Sequence, residues 1–112
     1  MMWSLFLDDE RFPVMKGEDD DWVIIRTAEE ALLHIEELGY PRRMSLDHDL
    51  GEGIMTGYDF IRGLVDFALD GNMDWGGVNV KDIDVYVHSQ NPVGAENIRK
   101  YWENFMRFDH ES

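Results

Sequence analysis

The sequence predicts an α/β fold in which parallel strands alternate with helical crossovers. Three observations carry that prediction. Short, almost continuously apolar runs recur along the chain, the pattern of strands covered on both faces. Capped segments with helical apolar spacing separate the later runs. Three of the runs also stop abruptly at polar, ionisable clusters: residues 3–7 at Asp8-Asp9-Glu10, residues 44–46 at Asp47-His48-Asp49, and residues 83–87 at His88-Ser89-Gln90-Asn91. Open sheets gather ligands outside the carboxyl ends of their strands, so these clusters are expected on one rim.

Residues 3–7 form the first strand. The stretch after it, with Phe12-Pro13 and Gly17-Glu18-Asp19-Asp20-Asp21, is a loop with little room for a crossover helix, and its acidic run reads as solvated. Residues 22–25 are a second buried strand, ending at Arg26. Thr27 then reads as a helix N-cap, with Glu30 completing a capping box. Ala28, Ala31, Leu32, Ile35 and Leu38 follow helical spacing, and Gly39 with Pro41 stops the helix. His34, at the flank of that stripe, reads as a surface or boundary residue.

Residues 44–46 are the third strand, and residues 51–57 the loop that leaves it. Thr56 caps the second helix, with Asp59 in its first turn. Ile61, Leu64, Val65 and Ala68 make the inner stripe, widened by Phe60 and Phe67, and Gly71 ends it. Residues 71–82, containing Trp75-Gly76-Gly77, are a long loop. Loops of this length are often functional, so a lid is one reading; plain connection is the one we prefer. Ile83, Val85 and Val87 alternate with Asp84, Tyr86 and His88, as in a strand at a sheet edge. Asn91 caps the last helix, with Pro92 at its first position and Ile98, Tyr101, Trp102, Phe105 and Phe108 as its buried stripe. Strands separated by helices imply right-handed crossovers and a parallel sheet.

At 112 residues the chain is expected to be one domain, spanning residues 1–112. It has no cysteine, which excludes thiol chemistry and a disulfide framework and fits a reducing, cytoplasmic setting. No stretch approaches the ~20 apolar residues that span a bilayer. The formal charge of −14, from 24 acidic and 10 basic residues, opposes general binding to duplex nucleic acid. It leaves room for a small phosphorylated ligand held locally.

The motifs resemble those of response-regulator receiver domains. In that family an acidic pair after the first strand binds a divalent metal, an aspartate after the third accepts phosphate, and Ser or Thr follows the fourth. Asp8 with Asp9, Asp47 and Ser89 match in turn. A fifth strand ending in lysine has no counterpart, and Lys16, Lys81 and Lys100 are not placed to replace that lysine. Leu7-Asp8-Asp9-Glu10-Arg11, Leu46-Asp47-His48-Asp49-Leu50-Gly51, Thr56-Gly57-Tyr58-Asp59 and His88-Ser89-Gln90-Asn91-Pro92 together are most similar to the cyclic-phosphate-processing receiver variants. The resemblance implies a truncated receiver-like (flavodoxin-like) fold, with a four-stranded parallel sheet of order 2-1-3-4 and about three helices. It also implies an enzyme acting on cyclic phosphates in nucleotides or at RNA ends.

The residues suit that chemistry. Mg²⁺ or Mn²⁺ takes oxygen ligands, which Asp8, Asp9 and Asp47 can supply from adjacent strands. Asp49 could join them, or orient His48 instead. Opening a phosphodiester needs a base and an acid, and His48 and His88, each following a strand on the rim, are the candidates. Donors for phosphate are expected from Arg11, Arg26, Ser89 and Asn91, and from free N–H groups at the start of the last helix. The leading expectation is a metal-dependent phosphoesterase acting on a cyclic nucleotide or an RNA 2′,3′-cyclic phosphate end. A version using the histidine pair without metal stands beside it. The alternatives are a non-catalytic module that binds a nucleotide or partner protein, and, least favoured, phosphorylation of Asp47.

Overall fold

The computed structural model of the protein describes residues 3–10, 22–51 and 54–108. Arg11, Lys16 and His110, the loop expected after the first strand, part of the 51–57 loop and the side chain of Phe108 lie outside the described residues.

Four strands form one sheet: β1 (Ser4–Leu7), β2 (Trp22–Ile25), β3 (Arg43–Leu46) and β6 (Asp84–Val87), in the order β2-β1-β3-β6. Every pairing is parallel, as the crossovers require. Counting only these four strands, this is the expected 2-1-3-4 order. Three helices accompany it: α1 (Ala28–Leu38), α2 (Gly57–Leu69) and α3 (Pro92–Phe108). The architecture is that of a receiver-like fold. Among the described residues no helix is long and apolar enough to cross a membrane.

The strand pleat divides β1 and β3 into two faces. Leu5, Leu7, Met44 and Leu46, with Ile25 of β2, belong to the main apolar cluster. The helices complete it through Ala31 and Ile35 of α1, Phe60, Ile61 and Leu64 of α2, and Ile98 and Trp102 of α3. Burying each of the larger side chains stabilises the fold by roughly 1.5–3 kcal/mol. Ser4, Phe6, Arg43 and Ser45 alternate onto the other face, where Arg43 donates from Nε to Ser4 Oγ at 2.9 Å. Phe6 and Ser45 are register partners there.

Helix starts follow the local chemistry read from the sequence. Thr27 accepts from the Glu30 N–H, but the return bond from its own N–H to the Glu30 side chain is not made, so the capping box expected there is only half formed. At α2 the capping box closes in both directions, with Asp59 N–H donating to Thr56 Oγ1 and Thr56 N–H to Asp59 Oδ2. Leu38, expected in the α1 stripe, is exposed instead, as the last residue of the helix.

Residues 71–82 are not a lid. They hold a hairpin, β4 (Asp74–Trp75) and β5 (Val78–Asn79), followed by a 3-10 turn. Its two-residue connection is Gly76-Gly77, with φ of +69° and +85°, the left-handed pair that a tight hairpin turn requires. The hairpin docks on the carboxyl end of α1 and on the lead into β3: Tyr40 N–H donates to Trp75 O at 3.0 Å, and Tyr40 Oη to Asn72 O at 2.6 Å. That is the end of the sheet opposite the polar rim. Burial, with Asp74 adding a smaller push, raises the Tyr40 phenol to about 12.

Candidate active site

The connections of β1 and β3 leave in opposite directions, β1 toward β2 and β3 toward β6, so the two central strands flank the topological switch point. The first residue beyond each strand is still held by the ladder. Asp8 N–H donates to Ile25 O at 3.1 Å, Asp47 N–H to Leu7 O at 2.9 Å, and His88 N–H to Leu46 O at 3.0 Å. Asp8 and Asp47 are thus carried by the sheet rather than by a loop.

Both are buried, Asp8 wholly so. With Asp9 they form a cluster whose carboxylate oxygens all lie within 4.8 Å of one another. Two charges at that separation repel by about 3 kcal/mol at an effective dielectric of about 20. A divalent cation would turn that repulsion into ligation, and a set of hard carboxylate oxygens suits Mg²⁺ or Mn²⁺. The cluster opens into a cleft of ≈ 440 Å³ lined by Asp8, Asp9, Glu10, Asp47, Asp49, Gly51 and Gln90.

The two histidines take different positions. His88 Nε2 is 2.9 Å from Asp8 Oδ2 and its Nδ1 is 2.7 Å from Ser45 Oγ. Its ring stacks on Phe6, with centroids 4.6 Å apart and planes 8° from parallel. His48 turns toward α3: its Nδ1 is 2.8 Å from Asp49 Oδ1, and the ring lies where a Cβ on Gly94 would have to go. Glycine at position 94 is therefore required by close approach. Gly57, the first residue of α2, is required likewise, because a Cβ there would strike the Asp47 carbonyl.

A family model described as a cyclic-phosphate processing receiver domain matches residues 3–104. The chain belongs to that family. No curated protein and no solved structure matches it.

Within this cyclic-phosphate processing receiver domain, Asp8, Asp9 and Asp47 come together as the sequence reading expected. Asp49 does not join that cluster. It stands on the cleft wall, and the hydrogen bond from His48 holds its carboxyl below the usual aspartate range, with Asn91 helping. Arg26 reaches the site through the backbone, donating from Nη1 to the Asp8 carbonyl at 3.0 Å. Ser89 and Asn91 serve the backbone. Ser89 Oγ accepts from Asn91 N–H at 3.1 Å, and Asn91 Oδ1 accepts from Gly94 N–H at 3.0 Å. The Gly94 N–H, one of the donors expected for phosphate at this helix start, is therefore already used. Arg11 lies outside the described residues. Lys81 is far from the rim, donating to Met106 O near the end of α3.

Sequence reasoning missed Glu10 and Gln90 on the cleft wall, and Phe6 and Ser45 around His88. Glu10 and Gln90 sat inside quoted motifs, and their offset from a strand end was the available signal. A serine between Met44 and Leu46 in a buried strand was the signal for Ser45.

Proposed function

We propose that the protein is a phosphoesterase that opens a cyclic phosphate, in a cyclic nucleotide or at the 2′,3′-cyclic end of an RNA. The observation that supports this reading most is the cluster of Asp8, Asp9 and Asp47 at the switch point of a sheet whose family processes cyclic phosphates. These three aspartates would hold Mg²⁺ or Mn²⁺. When bound, the ion neutralises the carboxylates and stabilises the negative charge that builds on the phosphoryl oxygens.

The reaction adds water across one ring P–O bond. The attacking oxygen bonds to phosphorus and gives up a proton; the ring oxygen leaves and takes one. Proton handling falls to the His48–Asp49 pair, of which Asp49 lines the cleft and His48 stands behind it. Asp49 accepts from Nδ1–H of His48, which fixes the tautomer and leaves Nε2 as the basic atom. His88 has both ring nitrogens engaged, so its part is to orient Asp8. Arg26, anchored on the Asp8 carbonyl, places positive charge beside an acidic cleft.

The test is a panel of 2′,3′-cyclic nucleotides and cyclic oligonucleotides, with Mn²⁺ or with EDTA, read by mass spectrometry. Ring-opened products that gain one water, and that EDTA suppresses, support the reading. Activity indifferent to EDTA rejects the metal. Tight retention without product identifies a binding module instead.

A further inference from the structure

The hydrogen-bond chain that begins at Asp8 does not stop at His88. It runs on into the middle of β3, to a serine whose side chain lies on the face opposite the main apolar cluster. We propose that Ser45 is a positioning residue for the metal centre: it donates to Nδ1 of His88, keeps the ring in its Nε2–H tautomer, and so fixes the orientation of Asp8. This rests on reading Asp8, Asp9 and Asp47 as metal ligands.

With Asp8 ionised and His88 neutral, the direction of each bond follows from what the groups can do. An ionised carboxylate only accepts, so the His88 nitrogen facing Asp8 Oδ2 at 2.9 Å carries the hydrogen. A neutral imidazole has one N–H, which leaves Nδ1 as an acceptor. Facing it at 2.7 Å is Ser45 Oγ, and a hydroxyl can donate. The stack on Phe6 sets the ring plane. On the other side of the carboxylate, Glu10 N–H donates to Asp8 Oδ1 at 2.9 Å. Both oxygens of Asp8 are thereby held, and rotation of the carboxylate would break one bond or the other.

The position also argues for this role. A hydroxyl buried in a central strand is costly unless it is hydrogen-bonded, and valine would suit the strand better. Ser45 is 9 % exposed, and His88 is the partner that satisfies it. Although serine, histidine and aspartate follow in the order of a hydrolase triad, the arrangement does not make a nucleophile. Ser45 does not line the cleft, and the ring faces the serine with Nδ1 and the carboxylate with Nε2, the reverse of a triad.

Two measurements test the proposal: ring ¹⁵N spectra of the metal-free protein at one fixed pH where the ring is neutral, and calorimetric titration with Mn²⁺. Wild type should show hydrogen on Nε2 of His88. In Ser45→Ala the Nδ1 signal should shift as that nitrogen loses its donor, and Mn²⁺ affinity should fall about tenfold or more. Ser45→Thr keeps the hydroxyl and should restore both. A wild-type ring with its hydrogen on Nδ1 overturns the proposal without recourse to any variant. So does a Ser45→Ala protein with unchanged ring signals and unchanged Mn²⁺ affinity. Wild type that carries Nε2–H but binds no Mn²⁺ sinks the metal reading, and the positioning role falls with it.

Discussion

His88 Nε2 lies 2.9 Å from Asp8 Oδ2, joining residues 80 positions apart in the chain. β6 does not pair with β1, so the contact reaches past β3 above the ends of the strands. It is the structural link between the family's first and last motifs. His88→Ala should therefore lower Mn²⁺ affinity about 10–100-fold and reduce turnover with it. Circular dichroism should remain that of the folded protein, since the ring is still partly open to solvent. An unfolded variant would mean that the stack on Phe6 matters more than the bond to Asp8.

Removing one charge from the aspartate cluster should act in opposite directions with and without metal. Asp47→Asn relieves repulsion between groups within 4.8 Å, so the metal-free protein should gain about 1–2 kcal/mol and melt several degrees higher. The same variant should lose the rise in melting temperature that Mn²⁺ confers on wild type. Thermal melts with EDTA and with Mn²⁺ measure both effects. A metal-free variant that melts lower than wild type would contradict the repulsion argument.

Gly94→Ala places a methyl group where the His48 ring lies. The ring must move, at a cost of about 1–3 kcal/mol if the packing resists. We expect turnover to fall while Mn²⁺ affinity stays within about twofold, because the His48 ring is hydrogen-bonded to Asp49 rather than to a clustered aspartate. Parallel loss of metal affinity would show that His48 is coupled to the cluster itself.

The hairpin end of the molecule has its own pH signature. Tyr40 ionises near 10 in the unfolded chain and at about 12 in the fold. Between those values the unfolded state releases its proton first, so stability is fully present below pH ~10 and declines toward pH 12. Tyr40→Phe should remove that part of the alkaline decline. It should also cost about 1 kcal/mol at neutral pH by deleting the bond to Asn72 O. Urea unfolding across the alkaline range measures both.

Much of the fold was legible because its signals are local. Thr56 and Asp59 define a capping box within four residues, and the apolar runs mark strands whatever they pair with. The aspartates were legible for the same reason, since an acidic residue after an apolar run lies at a strand end. The roles of the two histidines were not. Each follows a strand, yet His88 reaches Asp8 and His48 packs under Gly94, a difference set by strand register and helix placement. The hairpin has a local signature too. Gly76-Gly77 between Trp75 and Val78 carries a tight-turn signal that the length of the surrounding loop obscured.

The last rungs of the sheet end on the backbone nitrogens of Asp8 and Asp47. The backbone that carries these carboxylates is consequently part of the framework, whereas Gln90 and Gly51 stand on connecting segments around the same opening. Exchanging the surrounding segments can reshape the opening while leaving Asp8 and Asp47 in place, so variants of those segments separate the shape of the cleft from the acidity of its floor.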